Sequence, residues 1–158
     1  MPISNDEFRQ ILRHFAAGVT VVTARCDDGR LAGITVTAFS SLSLSPPLVL
    51  VCIDRRAFLH DRLEVGQAFA VNFLAADQEP LSNRFAKSGL DQFEDVAHRI
   101  SAAGAPVLEG VLGALECQVV ERLPGGDHTI VVGRVDVASR GSGRPLVYYD
   151  GRYARLTD

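Results

Sequence analysis

The sequence has no tryptophan, one methionine and only three cysteines in 158 residues. Cys26, Cys52 and Cys117 are odd in number and have no metal-ligand spacing, so they predict buried, reduced thiols rather than a disulfide framework or a metal site. The longest apolar run, residues 48–53, is far shorter than the roughly 20 residues that a membrane-spanning helix needs. The formal net charge of −3 also lacks the basic excess of nucleic-acid-binding proteins.

The N-terminal segment indicates where the protein is located, and the composition and length indicate how many domains it has. Residues 4–13 are rich in charge and are not followed by a long apolar segment, so no signal peptide is expected and the protein is predicted to be cytoplasmic. Apolar residues make up 47% and charged residues 22%, as in ordinary globular proteins. A chain of this length favours a single domain over residues 1–158.

The first segment has the pattern of a short helix. Ser4 and Glu7 have the spacing of a capping box, in which each side chain accepts from the other's backbone N–H. Apolar residues then recur at helical spacing as far as Phe15, and Gly18 is a typical C-terminal stop. We expect this helix to cover an open end or face of the remaining structure.

Most of the remaining chain has the alternation or the β-branched content of strands. Strands are predicted over residues 19–24, 31–38, 48–53, 68–74, 111–123, 129–138, 146–149 and 153–156. Short helices are predicted over residues 57–65 and from Asp77 to about Lys87, with a loop over residues 88–110. The C-terminal third has no helix pattern, and no G-x-G-x-x-G motif follows a strand. The expected fold is therefore mainly β with short helices, an antiparallel barrel rather than a doubly wound sheet.

Residues 35–45 place six hydroxyl side chains within eleven residues, first on a strand and then in an expected turn. Threonine is a good strand former, so the segment could simply be the polar face of an edge strand. No charged residue occurs between Arg30 and Asp54, however, and a solvated face would more often contain charges. Hydroxyls and turn N–H groups also suit phosphate and the polar edge of a flat heterocycle, so this uncharged strip favours a bound ligand.

Ordered blocks of sequence carry a resemblance to a known family. They are residues 15–23, 33–43, 45–49, 69–74, 115–117, 126–130 and 145–149. In this order they resemble the flavin reductase family of FMN-binding split barrels, the small components of two-component flavin monooxygenases. The resemblance extends from about Phe8 to Leu156. It implies an antiparallel Greek-key split β-barrel of the FMN-binding split-barrel type, which forms a homodimer with flavin near the subunit interface.

The resemblance implies a set of cofactor-binding residues. They are Thr35, Val36, Thr37, Ala38, Ser40, Ser41, Asp54, Arg55, Arg84 and Phe85. The first four would line the isoalloxazine, and the two serines would approach the ribityl chain and the phosphate. Many relatives have Asn-Arg and then serines where this chain has Asp54-Arg55-Arg56-Ala57, so Arg55 or Arg56 is expected to supply charge to the phosphate. Phe85 could equally be a core residue beside Leu81.

His128 is the candidate catalytic residue. It follows Gly126-Asp127 at the start of a predicted strand, and a lone histidine at such a place is more often a surface or structural residue. The resemblance implies that His128 binds the nicotinamide and positions it, since hydride transfer needs no general base. It also suggests that Tyr149 and Arg152 contact the dinucleotide, although a hairpin with cross-strand aromatic pairs would explain them too. The remaining histidines, His14, His60 and His98, are expected to be solvated.

Taken together, these features predict an NAD(P)H:flavin oxidoreductase. It would reduce FMN or FAD by hydride transfer from NADH or NADPH and supply the reduced flavin to a partner monooxygenase. The sequence does not distinguish FMN from FAD, or NADH from NADPH. The alternative is a flavin-binding carrier or sensor of the same fold that has no catalytic turnover. A pyridoxamine-phosphate oxidase is disfavoured, because that chemistry needs a cationic pocket and residues 35–45 are uncharged.

Overall fold

The structure is a computed structural model that describes residues 2–89 and 91–158. The described residues form helices α1 (Asn5–Leu12) and α2 (Glu79–Phe85), a 3-10 turn (His60–Arg62) and twelve strands. The strands are β1 (Ala17–Gly18), β2 (Thr20–Arg25), β3 (Leu31–Val36), β4 (Phe39–Leu44), β5 (Pro47–Asp54), β6 (Ala68–Phe73), β7 (His98–Ile100), β8 (Pro106–Leu108), β9 (Gly113–Gly125), β10 (His128–Arg140), β11 (Leu146–Tyr149) and β12 (Arg152–Arg155). Within the described ranges, no helix has the length and apolar character that crossing a bilayer requires.

The largest sheet has seven strands in the order β3-β2-β6-β9-β10-β5-β4, and all of its pairs are antiparallel. Strands β3 and β5 also contact each other although four strands separate them in this order, so the sheet curls into a barrel. Strand β1 joins β11 and β12 in a second sheet, and β7 pairs with β8. The prediction of a mainly β, antiparallel fold is confirmed.

Alternation along β5 separates the barrel core from the outer face. Val49, Val51 and Ile53 are buried, whereas Leu50 and Cys52 between them are partly exposed. Successive strand residues point to opposite faces, so the first group fills the barrel and the second faces outward. The candidate functional site lies on that outward face.

A second apolar cluster lies outside the barrel and holds α2 and the β7–β8 hairpin in place. Phe85 of α2 is 1% exposed and belongs to this cluster with Leu108 of β8. Two buried polar side chains also attach β8 to the sheet. Thr23 Oγ1 donates to the Pro106 carbonyl at 2.5 Å, and Asn72 Oδ1 accepts from Leu108 N at 2.9 Å.

The first helix has the predicted start but not the predicted end. The Ser4–Glu7 capping box is present. Beyond Leu12 the hydrogen bonds change to the tighter i to i−3 pattern, for example from Phe15 N to the Leu12 carbonyl at 3.1 Å. Gly18 therefore does not stop the helix but lies in β1. No residue of α1 is buried in the described structure: Ile11 is 68% exposed, and Phe8 and Leu12 are half-exposed.

Other predicted elements differ because contacts distant in sequence determine them. The helix expected over residues 57–65 is reduced to the 3-10 turn, and α2 is capped by Gln78 rather than Asp77. Residues 40–44 form the edge strand β4, not a turn. The loop expected over residues 88–110 contains the β7–β8 hairpin, whose three-residue strands are too short to show alternation; Leu90 within that range lies outside the described residues.

Candidate functional site

A cavity of about 670 Å³ opens on the outer face of the barrel, between the bend that joins β3 to β4, the first helix, and the β11–β12 turn. Three of the predicted site residues, Thr37, Ala38 and Ser40, line one side of it. Tyr149 lines another part of the wall, and the outward-facing Cys52 of β5 is also in the lining. The cavity thus brings together segments that are far apart in the sequence.

Backbone hydrogen bonds fix the bend that carries the hydroxyl strip. Phe39 N donates to the Thr37 carbonyl at 2.9 Å, and Cys52 N donates to the Ala38 carbonyl at 3.0 Å. These two bonds hold Thr37 and Ala38 at the cavity. They leave both residues exposed, with their side chains available to a ligand.

His128 continues the same outward face. It is the first residue of β10 and pairs in register with Asp54, the last residue of β5, while Ile130 pairs with Cys52. Residues two apart on a strand share a face, so His128 and Asp54 lie along the face that Cys52 contributes to the cavity. His128 is 39% exposed and its Nδ1 lies 2.7 Å from Asp127 Oδ1.

The charges around His128 are arranged in pairs. The Arg56 backbone N and guanidinium both donate to the carboxylate of Asp54, and these bonds hold the pKa of Asp54 far below its ordinary value. The hydrogen bond from His128 lowers the pKa of Asp127 in the same way. Both carboxylates are therefore ionised at neutral pH. When His128 Nδ1–H donates to Asp127, its Nε2 is left as an acceptor.

His60 is not solvated, contrary to the prediction for it. Its side chain is 12% exposed, and Nε2 lies 2.7 Å from Thr129 Oγ1 and 3.2 Å from Arg122 Nη2. Its Nδ1 lies 2.7 Å from Asp61 Oδ1. Since Thr129 directly follows His128, this network ties the start of β10 to the 3-10 turn. His98 is also partly buried, whereas His14 is exposed.

Several predicted cofactor-binding residues lie away from the cavity. Thr35 Oγ1 donates to the Ser82 carbonyl of α2 at 2.6 Å, and Val36 is 6% exposed in the barrel core. The Arg84 guanidinium donates to the Glu94 carbonyl. Phe85 follows the alternative interpretation as a core residue, in edge-to-face contact with Phe93. Packing of α2 against β3 thus holds Thr35 and Phe85 away from the ligand face, and strand alternation directs Val36 into the barrel.

The remaining predicted residues lie near the cavity without lining it. Ser41 is exposed on β4, and its strand position points opposite to Ser40. The Arg55 backbone N donates to the Asp127 carbonyl at 3.1 Å, which links the loop after β5 to the His128 turn, and its side chain is exposed. Arg152 is exposed on β12, opposite Tyr149 in the hairpin.

The cavity also contains residues that the sequence interpretation did not select. They include Arg9, Arg13, Leu50, Cys52, Tyr148 and Gly151. The alternation of β5 could have identified Leu50 and Cys52. The two arginines are four residues apart, a spacing that places side chains on one face of a helix. A second cavity of about 470 Å³ adjoins the first and shares Phe15, Ala17, Thr37 and Phe39 with it.

Comparison with known proteins gives the family of this chain. A family profile described as "Flavin reductase like domain" matches residues 12–157. The reductase component of a 4-nitrophenol 4-monooxygenase/4-nitrocatechol 2-monooxygenase from Rhodococcus opacus is 43% identical over 155 residues, 98% of this chain and 83% of the relative. An FMN reductase (NADH) of Agrobacterium fabrum is 40% identical over 154 residues, 98% of this chain and 87% of the relative.

The fold comparison agrees with these relatives. The solved NADH:FAD oxidoreductase of Streptomyces globisporus, in complex with NAD and FAD fragments, superposes with a TM-score of 0.90 at 35% identity, covering 99% of this chain and 98% of that chain. Such neighbours are flavin reductases of the split-barrel type, so the predicted split-barrel fold is confirmed. The chain belongs to the flavin reductase-like family.

Proposed function

We propose that this protein is a flavin reductase that passes a hydride from NADH to FMN or FAD and supplies the reduced flavin to a partner monooxygenase. The observation that carries the proposal is the cavity lined by Thr37, Ala38 and Ser40 beside the face that ends in His128. Because the chain belongs to the flavin reductase-like family, flavin and nicotinamide are the ligands proposed for that cavity. Relatives named as reductase components of monooxygenases support the transfer to a partner.

The residues present fit a flavin. A volume of about 670 Å³ lies within the usual range for cofactor sites. Leu50 and Cys52 offer an apolar surface to a flat ring, while Thr37 and Ser40 offer hydroxyls to its polar edge and side chain. A bound flavin supplies the hydride-accepting chemistry, and the chain supplies binding and orientation.

His128 is proposed to orient the nicotinamide. With Nδ1–H donated to Asp127, Nε2 can accept from the carboxamide N–H of the nicotinamide. The exposed position of His128 leaves space for that group. A fixed carboxamide fixes the nicotinamide ring, which must approach the flavin within about 3–3.5 Å for hydride transfer. Tyr149 is proposed to contact the dinucleotide from the cavity wall.

NADH, rather than NADPH, is proposed as the hydride donor. Relatives named as NADH-dependent flavin and FAD reductases support this choice.

The proposal also covers the domain organisation, the oligomeric state and the location of the protein. Residues 1–158 are taken as a single flavin reductase-like domain, and the domain is proposed to act as a homodimer with flavin near the interface. A cytoplasmic location suits the three cysteines, all of which are free thiols.

Anaerobic stopped-flow spectroscopy tests the activity. Enzyme premixed with FMN or FAD is mixed with NADH or NADPH, and the flavin absorbance near 450 nm, about the usual maximum of oxidised flavin, is followed. We expect bleaching with NADH and much slower bleaching with NADPH, for at least one of the two flavins. Binding of flavin without bleaching by either nucleotide would instead identify a carrier or sensor.

A further inference from the structure

We propose that Arg9 and Arg13 form an anion site at one end of the cavity, and that this site binds a phosphate group of a nucleotide. The phosphate belongs either to the flavin or to the nicotinamide dinucleotide, and both offer the same chemistry to a guanidinium. This inference rests on the proposed function. It assigns a binding role to two residues of the N-terminal segment that lie outside the ordered sequence blocks.

Both arginines line the cavity that also contains Thr37 and Ser40. Arg9 lies in the last turn of α1 and Arg13 caps its C-terminus, where Arg13 N donates to the Arg9 carbonyl at 3.1 Å. Residues four apart lie on one face of a helix, so both guanidinium groups are directed to the same side. A ligand at this end of the cavity would meet two cationic side chains together.

The backbone of Arg13 is fixed to the β11–β12 turn. Its carbonyl accepts from Asp150 N at 2.9 Å. Its guanidinium lies close over the same turn, because a Cβ built on Gly151 would be 3.5 Å from Arg13 Cζ. Gly151 has a φ of +75°, which a residue with a side chain rarely adopts, so this close approach is built into the hairpin. The cationic group therefore lies close to Gly151 in the lining of the cavity.

The guanidinium groups of Arg9 and Arg13 are available to pair with a ligand. Within residues 2–89 and 91–158, Arg13 forms no ion pair, and Arg9 forms only a long one of 3.9 Å with the exposed Asp6. Asp150 also lines the cavity, yet no ion pair within 4.0 Å joins it to Arg13 in the described structure. Arginine binds phosphate through short, charge-assisted hydrogen bonds, and free guanidinium groups are the side chains best suited to it.

In the loop after β5, one of the two arginines expected near the phosphate is already paired with a carboxylate. This loop was expected to provide the phosphate contacts through Arg55 or Arg56. The guanidinium of Arg56 is instead held by Asp54 at 2.9 and 3.2 Å, so a phosphate would have to displace a carboxylate to reach it. Arg9 and Arg13 need no such exchange.

Binding measurements with matched ligands test the site in Arg9→Ala, Arg13→Ala and the double variant. Riboflavin and FMN differ only by the phosphate, and reduced nicotinamide riboside and NADH differ by the phosphates and the adenosine. Affinities are measured by quenching of flavin fluorescence and by calorimetry, at low and high salt. Arg30→Ala removes the same charge from the β2–β3 turn, outside the cavity lining, and serves as the matched control.

We expect the double variant to lose about tenfold in affinity for FMN, for NADH or for both, while the matched phosphate-free ligand keeps its affinity within about twofold. A loss for FMN alone assigns the site to flavin phosphate, and a loss for NADH alone assigns it to the nicotinamide dinucleotide. High salt should weaken binding of the phosphate-containing ligand to the wild type, and it should weaken binding to the double variant much less.

Two results would overturn the assignment. Affinities for FMN and NADH equal to wild type would show that the arginines bind no phosphate, and an equal loss for riboflavin and FMN would show that they only support the fold of the cavity. Both results leave flavin reduction intact as a proposal. A wild-type protein that binds none of riboflavin, FMN and FAD would instead refute the proposed function itself.

Discussion

At the scale of single residues, His128 owes its position to the residues on either side of it. Asp127 accepts from His128 and is itself held through its carbonyl by Arg55 N, and Thr129 is joined to the half-buried network of His60. A histidine that is 39% exposed thus has a defined orientation without being packed in the core. Such an arrangement suits a side chain that must meet a ligand from solvent.

Replacing His128 by alanine is expected to raise the KM for NADH about tenfold, because one hydrogen bond to the carboxamide of the nicotinamide is lost. Flavin affinity, measured by fluorescence quenching, should stay within about twofold. His14→Ala removes an exposed histidine on the segment after α1 and provides the control. If the kinetics of H128A with NADH match those of H14A, His128 does not belong to the nicotinamide site.

The three cysteines are expected to differ sharply in reactivity. Burial raises the pKa of Cys117 to about 12 and also raises the pKa of Cys26, so both remain protonated thiols at pH values near 8, about the ordinary thiol range. Cys52 is partly exposed and lines the cavity. Iodoacetamide should therefore modify Cys52 alone in the native protein, as mass spectrometry of the peptides can show.

Bound flavin is expected to slow that modification, since Cys52 lies in the proposed ring site. Cys52→Ser should abolish labelling of the native protein, and unfolding in denaturant should restore labelling at the other two positions. Labelling of Cys52 at the same rate with and without saturating flavin would place the ring elsewhere.

At the scale of elements, long strands were predictable because alternation and β-branched residues mark them over many positions. Strand β5 spans Pro47–Asp54 against a predicted 48–53, and β10 spans His128–Arg140 against 129–138. Strands β7 and β8, of three residues each, carry too little pattern to be recognised. Length was not the only factor, because the four-residue β11 and β12 were predicted while the six-residue, serine-rich β4 was expected to be a turn.

Part of the site was predictable from the hydroxyl strip and the family resemblance. Thr37, Ala38, Ser40 and Tyr149 line the cavity as a ligand site would require. Phe85 does not, because the packing of α2 on β3 depends on contacts far apart in sequence, such as that between Thr35 and the Ser82 carbonyl. The roles of the residues at the cavity remain predictions, which the variants above address.

Close packing between strands gives a test at this scale. A Cβ built on Gly133 of β10 would lie 2.5 Å from Cζ of Phe69, whose ring is fully buried in the barrel. Gly133→Ala must therefore displace that ring and is expected to lower the free energy of unfolding by about 1–3 kcal/mol. Gly18→Ala, in β1, meets no atom within 4 Å and has no positive φ, so it should be nearly neutral. Urea denaturation measures both; equal stabilities would contradict the packing described.

At the scale of the whole molecule, several large apolar side chains are exposed to solvent. Ile11 on α1 is 68% exposed and Leu44 on the edge strand β4 is 95% exposed. Phe15 is 79% exposed and lines both cavities. Exposed large apolar side chains and an unpaired strand edge are typical of an interface. A second copy of the chain, as proposed, would cover them.

Placing a charge on this surface should separate the two copies. Ile11→Asp combined with Leu44→Asp buries two carboxylates if the dimer forms, so sedimentation equilibrium should give a dimer for the wild type and a monomer for the variant. Val65→Asp makes the same change at a residue that is 63% exposed in a turn between the 3-10 helix and β6, and it should leave the dimer intact. Because both cavities border the surface through Phe15, flavin affinity should fall together with dimerisation. A wild-type monomer that binds flavin tightly would show that one subunit completes the site.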